Sequence, residues 1–379
     1  MALRGGDARH ARNFRAPHEA PTAHTPAAYR ADEFLAELRA VTGAPESALA
    51  RSIVTDAAQL PGWLTGCGVR LQDPAAGLIP FSRRTAFLLG GGKAMLNALY
   101  STAAAAGVEI GYESAAQSLH VGPDGWLARF AQGALAARCV VVASGGPGAN
   151  RAWLGASDLV FRGGGFSDGR MMQALVEALG VRTVGDPARQ HKVAVDARGP
   201  KFDGGIVTRV TAIPYGLVVN RDGVALSDPS QNAKPTHYAE WGARIAAQPD
   251  GVAFLILDAE GLRRADPLAL APVRAETLAE LARALGLAEV ALAGASRLRA
   301  PFFGVPLCAG VTFAHFGLEV DESLRLIGAN GSAMPGLYAA GMIMAANILP
   351  RGYLAGLGIA LSAVTGRRAG EAATRHVLG

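Results

Sequence analysis

The stretch CVVVASGGPGANRAWL, Cys139–Leu154, decides the fold. Four β-branched or small apolar residues run into a paired glycine, the pattern of a buried parallel strand that ends where its backbone must approach something closely. MPGLYAAG, residues 334–341, repeats the pattern: an apolar strand closing on glycine. Two such strands, on either side of a long intervening segment, suggest a nucleotide-binding α/β sheet assembled from distant parts of the chain, the alternative on strand pattern alone being an ordinary α/β sheet with glycine turns.

Working outward from Cys139, GGGKAMLNALYSTAAAAGV sets Met95, Leu96, Leu99 and Ala103 at helical spacing, with Gly107 as a stop signal. VEIGY, SLHV, WLARFA and ARCVVVASGG follow, with a turn at Pro123, Asp124 and Gly125. The order reads helix, strand, meander, returning strand. From Phe161 to about Ala300 the texture changes to long polar loops, a strand pair around YGLVVNRDGVAL and a helix through ETLAELARALGL. A second domain inserted into the first accounts for that change. Strands return from Pro301, and GYLAGLGIALSAV reads as a buried helix, too short and glycine-rich to span a bilayer unaided.

Composition narrows the function. A chain of 379 residues, half of them apolar, can bury one or two full cores, and its length favours two domains. Its 48 glycines and 21 prolines follow no period, which indicates tight backbone approaches in a globular protein. Cys67, Cys139 and Cys308 have no metal-ligand or CxxC spacing, so the reading is core thiols, no metal site and a reducing, cytoplasmic compartment. The net charge of +5 is modest and its cations are scattered, which disfavours nucleic acid and favours small anions. The N-terminal MALRGGDARHARNFRAPHEAP is arginine-rich without the apolar core of a secretory signal. The dinucleotide fingerprint GxGxxG matches nowhere, and GGGK at 90–93 lacks the remaining residues of a P-loop.

RGGDARHARNFR, FLLGGGKAMLNALYSTAAAAGVEI, VVVASGGPGANRAWL, VDARGPKFDGGIVTRV and GLYAAGMIMAANILPRGYLAGLGIALSAVTGRRAG resemble, in order, successive blocks of the tricarballylate dehydrogenase family. That family lies within the flavoprotein group of fumarate reductases, succinate dehydrogenases and ketosteroid dehydrogenases. The resemblance implies an α/β, Rossmann-like FAD-binding domain in two parts, 1–158 and 301–379, with an α+β capping domain at 159–300. It also implies an N-terminally truncated binding domain, because RGGDARH resembles the segment after the strand–GxGxxG–helix unit, roughly 30 residues long. Without the helix N-terminus of that unit, FAD affinity is expected to fall. Met342 stands where the family usually has a ribose-binding glutamate.

The activity the resemblance implies is FAD-dependent removal of two hydrogens from adjacent carbons of a small polycarboxylate, tricarballylate to cis-aconitate. Fumarate reductase-like and ketosteroid dehydrogenase-like chemistry, or a folded remnant without FAD, are the alternatives. Such C–H bonds are weakly acidic, so cations must clamp carboxylates and a base must take a proton. Arg351 in LPRGYLAG matches the family's carboxylate-clamping arginine, whose guanidinium offers a two-pronged fork. Arg209 in GGIVTRV is the candidate for a second carboxylate. For the proton acceptor, His237 and, less favoured, Lys234 fall near the family's basic pair. Thr312 or His315 is expected to touch substrate. Around the cofactor the resemblance places Gly5, Gly6, His10, Asn13, Gly92, Lys93, Ser144, Gly145, Gly146, Asp168, Gly169, Gly341, Gly352, Tyr353, Leu354 and Gly356. Gly352 and Gly356 are read as glycines that let the flavin close to the backbone. The cysteine pattern has no iron–sulfur ligand set, so electrons are expected to leave to a separate partner, with no membrane insertion.

Overall fold

A computed structural model describes residues 4–73, 83–155, 159–203, 207–226 and 238–379. A 3-10 turn, Gly6–His10, leads into β1 (Asn13–Arg15), α1 (Ala31–Thr42), α2 (Ala48–Ala57), α3 (Leu60–Gly66) and β2 (Thr85–Phe87), which pairs antiparallel with β1. The expected helix forms as α4 (Gly91–Ala105) and stops before Gly107, whose φ of +79° suits glycine. VEIGY, 108–112, does not become a strand: Val108 and Tyr112 are exposed, and Arg4 stacks over Tyr112 instead, 5.6 Å from the ring centroid. The meander is present as β3 (Ala116–Gly122), β4 (Gly125–Phe130) and β5 (Gly133–Ala137), with Pro123 and Asp124 in the first turn. The returning strand is β6 (Val140–Val142).

Beyond it come β7 (Val160–Phe161), α5 (Arg170–Leu179), β8 (Thr183–Asp196), β9 (Leu217–Asn220), α6 (Tyr238–Ala246), β10 (Val252–Leu257), α7 (Ala259–Arg264), β11 (Val273–Ala275) and α8 (Leu278–Leu285). The chain ends with β12 (Phe302–Leu318), β13 (Arg325–Ile327), β14 (Ala333–Ala339) and α9 (Leu357–Leu378). No helix among the described residues is long and apolar enough to cross a membrane.

Two compact units result. One comprises Met1–Gly155, Gly165–Arg189 and Ala314–Gly379; the other comprises Ala156–Gly164 and Gln190–Phe313. The second unit therefore extends past the expected limit at 300, and the segment 165–189 leaves it. The reason lies in α5, whose buried Met172 and Leu175 belong to a helix packed against β3 in the first unit.

In the second unit the strands run β11-β12-β10-β9, with β7 and β8 also pairing on β12. Alternation along β10 divides its core in two. Ala253, Leu255 and Leu257 share one cluster with Val218, Trp241 and Ile245, and Phe254 and Ile256 share the other with Val219, Leu281 and Leu292. Helices thus cover both faces of a sheet, and α8 begins with the capping box of Thr277 and Glu280.

In the first unit β13, β14 and β6 form the sheet that carries the site. β6 and β14 are parallel, with Val140 opposite Leu337 and Val142 opposite Ala339. Helix α9 lies along them in the opposite direction. The Arg138 guanidinium donates to the Val377 carbonyl (2.9 Å) near the strand starts, and the Gly341 amide donates to the Thr365 hydroxyl (2.8 Å) at the strand ends.

Candidate functional site

The parallel register brings the carboxyl ends of β6 and β14 side by side, and each strand closes on a glycine in the left-handed region: Gly145 at φ +81° and Gly341 at φ +75°. In open α/β sheets this edge is where ligands sit, because loops diverge there and leave a crevice. At this edge the glycines meet only ordinary contacts, unlike Gly352 and Gly356. Among the described residues a Cβ at Gly145 would meet only Ser167, at 3.4 Å; one at Gly146 only Met342, its carbonyl oxygen at 3.4 Å; one at Gly341 only Ser362, at 3.4 Å. At Gly6 none of the described residues lies within 4 Å of such a Cβ. Among the described residues, no backbone or side chain crowds these positions closer than an ordinary contact.

A polar pair borders the edge, with the Ser167 hydroxyl donating to the Asp7 carboxylate at 2.8 Å. Above it stands the start of α9. Leu357 precedes Thr365 by eight residues, which at 1.5 Å per residue sets the helix N-terminus about 12 Å beyond the Gly341 level. That terminus has Gly356 as its N-cap and no side-chain cap; the Leu357 amide donates to the Leu354 carbonyl at 3.1 Å, and the aligned helix dipole leaves a partial positive charge at its first turn. These features fit a flavin nucleotide: close backbone approach at the strand ends, and a positive helix end for the pyrimidine, where negative charge gathers on reduction. A cavity of about 740 Å³ lined by Trp126, Arg138, Met334 and His376 lies elsewhere, at the amino-terminal start of β14, about 20 Å along the strand from Gly341.

Other residues singled out in the sequence have different surroundings. At Gly352 and Gly356 (φ +70° and +77°) the space of a side chain is filled by the chain's own backbone, the Val41 carbonyl in one case and Phe14–Arg15 in the other. The Gly356 carbonyl accepts from the Arg15 amide at 3.0 Å. Likewise Gly5 faces the Leu96 side chain and Gly92 packs beneath Ala8 and Arg9 of the 3-10 turn. His10, Lys93, Ser144 and Tyr353 are exposed, and Leu354 is buried. Asn13 donates to the Thr85 hydroxyl at 3.4 Å. Asp168 starts α5, accepting from the Arg170 amide at 3.1 Å and pairing with its guanidinium at 2.6 Å; Gly169 is that helix's N-cap, packed on Pro147.

Arg351 is exposed but anchored, its Nε donating to the Thr42 carbonyl at the end of α1. Among the described residues no carboxylate pairs with it. His315 is buried in the first unit, and because its Nδ1 lies 2.9 Å from the Leu349 carbonyl, Nδ1 carries the proton. Burial pushes its pKa down, the Arg189 charge adds to this, and the bond to Leu349 offsets only part. The imidazole is neutral near pH 7. Thr312, in the second unit, donates its hydroxyl to the His191 carbonyl at 3.3 Å. Arg209, also in the second unit, is half-buried and bridges Val195. His237 and Lys234 lie outside the described residues.

Several polar groups gave no sequence signal. Buried Arg15 holds Glu37 while the Tyr29 hydroxyl donates to the same carboxylate at 2.7 Å; burial raises the Tyr29 pKa and keeps the phenol protonated. Arg162 and Asp203 pair at 3.3 Å in the second unit. Burial alone would raise the Asp203 pKa, but the Thr208 hydroxyl and amide and Arg162 more than reverse it. Asp7 stood inside the quoted RGGDARH, yet nothing local announced Ser167, 160 positions away.

The profile of the FAD binding domain family matches residues 7–359. No curated protein matches the chain. Among solved structures, the open conformation of a flavocytochrome c3 fumarate reductase superposes with a TM-score of 0.77 at 18% identity, over 99% of this chain and 72% of that one. A 3-ketosteroid delta1-dehydrogenase from Sterolibacterium denitrificans gives 0.76 at 16% identity, over 98% and 93%. The 3-ketosteroid-delta4-(5alpha)-dehydrogenase of Rhodococcus jostii RHA1 gives 0.71 at 19%, over 98% and 90%. At these identities the likeness is one of fold.

Proposed function

The chain belongs to the FAD binding domain family, with FAD as its cofactor, and from that premise we propose an FAD-dependent oxidoreductase that removes two hydrogens from adjacent carbons of a small polycarboxylate of the tricarballylate type. The observation that carries the reading is the convergence of two glycine-ended parallel strands below a helix N-terminus that has no side-chain cap. FAD, when bound, supplies the hydride-accepting group. Gly145, Gly146 and Gly341 would hold it by backbone approach, bordered by Ser167 and Asp7, with the first turn of α9 at its electron-rich ring.

The substrate class rests on Arg351. A guanidinium without a carboxylate partner among the described residues, ten positions beyond Gly341 and five before the α9 N-cap, offers a fork for one carboxylate. Its fixed charge also disperses the negative charge that builds when a proton leaves the neighbouring carbon. A separate electron-transfer partner is part of this reading, because three scattered cysteines provide no iron–sulfur ligand set. So is a cytoplasmic location, on the same cysteine usage.

The test is spectroscopic. The purified protein should carry, or take up from added FAD, the visible absorbance of a flavin, and tricarballylate should bleach it. Arg351→Ala should lower kcat/KM by about a hundredfold while the colour persists. A protein that stays colourless with FAD overturns the cofactor assignment. Bleaching by a ketosteroid in both proteins, with no response to polycarboxylates, overturns the substrate class.

A further inference from the structure

The clamp just assigned does not stand alone. The loop that carries it lies against the last turn of α1 at three points. Arg351 Nε donates to the Thr42 carbonyl, a helix-end carbonyl with no partner inside the helix. The Arg351 Nη2 occupies the place where a side chain of Gly43 would begin. The Val41 carbonyl fills the corresponding space at Gly352. Gly43 itself terminates α1 in the left-handed region, at φ +59°, its amide donating to the Arg39 carbonyl at 2.7 Å. A second tie joins the same two elements: Arg15 donates through Nε to the Ala355 carbonyl (3.0 Å) and through Nη1 to Glu37 of α1.

We propose that the C-terminal turn of α1 is a positioning device for the substrate clamp, with Gly43 as its determining residue. This rests on the reading that Arg351 meets a substrate carboxylate. With Nε committed to Thr42, only the end-on pair of Nη1 and Nη2 remains for a bidentate contact, so the guanidinium is presented in one orientation. The negative end of the α1 dipole favours that cation in place, and the substrate need not order a long side chain on arrival. Any side chain at position 43 would collide with Nη2 and turn the fork away.

Calorimetric titration of the FAD-loaded protein with tricarballylate tests this in four proteins: wild type, Gly43→Asn, Arg351→Ala and the double variant. Asparagine tolerates left-handed backbone, so α1 can keep its end while the side chain still displaces the guanidinium. Gly43→Asn should raise Kd about tenfold or more in the wild-type background and change nothing further in Arg351→Ala, with flavin content unaltered. Arg351→Lys, which leaves α1 untouched, should bind as weakly as Arg351→Ala, because one ammonium cannot both hold Thr42 and offer a fork. Wild-type affinity in Gly43→Asn, an equal loss in both backgrounds, or full binding by Arg351→Lys overturns the proposal. Absence of tricarballylate binding by the wild type overturns instead the substrate class beneath it, and the positioning role with it. If Gly43→Asn does not fold, the lysine variant decides.

Discussion

At the scale of single residues, two histidine readings from the sequence met different fates. His237 falls outside the described residues, whereas His315 is buried and bonded to the Leu349 carbonyl. Its titration has a calculable sign. The folded pKa lies below the usual imidazole value of about 6.5, so as pH falls the unfolded chain takes up a proton before the folded one does. Stability that is present above about pH 6.5 should therefore be lost progressively as pH drops below it. Denaturant titrations at about pH 7.5 and 5.5 should show that loss in the wild type and a smaller one in His315→Gln. Equal losses would mean that other groups govern the acid response. Glycines divide in the same residue-by-residue way: Gly145 and Gly341 have only ordinary contacts with Ser167 and Ser362, whereas Gly352 and Gly356 are pressed against Val41 and Arg15. All four have positive φ, and the sequence presents them alike.

At the scale of elements, the relation of α9 to β14 makes the site. Gly341 lies where its amide is buried, and its acceptor is the Thr365 hydroxyl, which itself donates to the Leu361 carbonyl at 2.7 Å. Thr365→Val keeps the shape and removes the acceptor, leaving a buried donor unsatisfied at a cost of about 1–3 kcal/mol. Chemical denaturation should register that loss, and because Gly341 ends a strand proposed to hold the cofactor, FAD affinity should fall in the same variant. Unchanged stability would show that Gly341 finds another acceptor. The helix was legible in GYLAGLGIALSAV, but its start was not: α9 begins at Leu357, after Gly356 turns into the left-handed region. VEIGY shows the opposite error, since strand-like alternation needs a neighbouring strand and 108–112 has none.

At the scale of the whole molecule, the residues bordering the edge proposed for the cofactor all belong to one unit, although they come from Asp7, Gly145, Ser167, Gly341 and the start of α9. A ligand that binds only this assembled arrangement stabilises it by mass action. Scanning calorimetry with increasing FAD should raise Tm continuously, with about 2.7 kcal/mol of added stability at a hundredfold excess over Kd. A Tm indifferent to FAD would mean that the folded chain does not bind it. The second unit reaches beyond both expected limits, to Ala156 and Phe313, while an internal stretch, 165–189, belongs to the first unit. Composition marks a change of texture, but residues 165–189 are assigned by where Met172 and Leu175 are buried.

By itself the sequence determined what near neighbours along the chain decide: the glycine-ended strands at 145 and 341, the GPDG hairpin, the helices at α4 and α8, and a family likeness spread over successive blocks. These depend on local periodicity, turn chemistry and backbone freedom. The tertiary structure alone decided that β6 pairs in parallel with β14, that Thr365 satisfies Gly341 and that the end of α1 holds Arg351. Each of those joins residues far apart in sequence through contacts that form only when many side chains are buried together, and no local pattern encodes a partner chosen in that way.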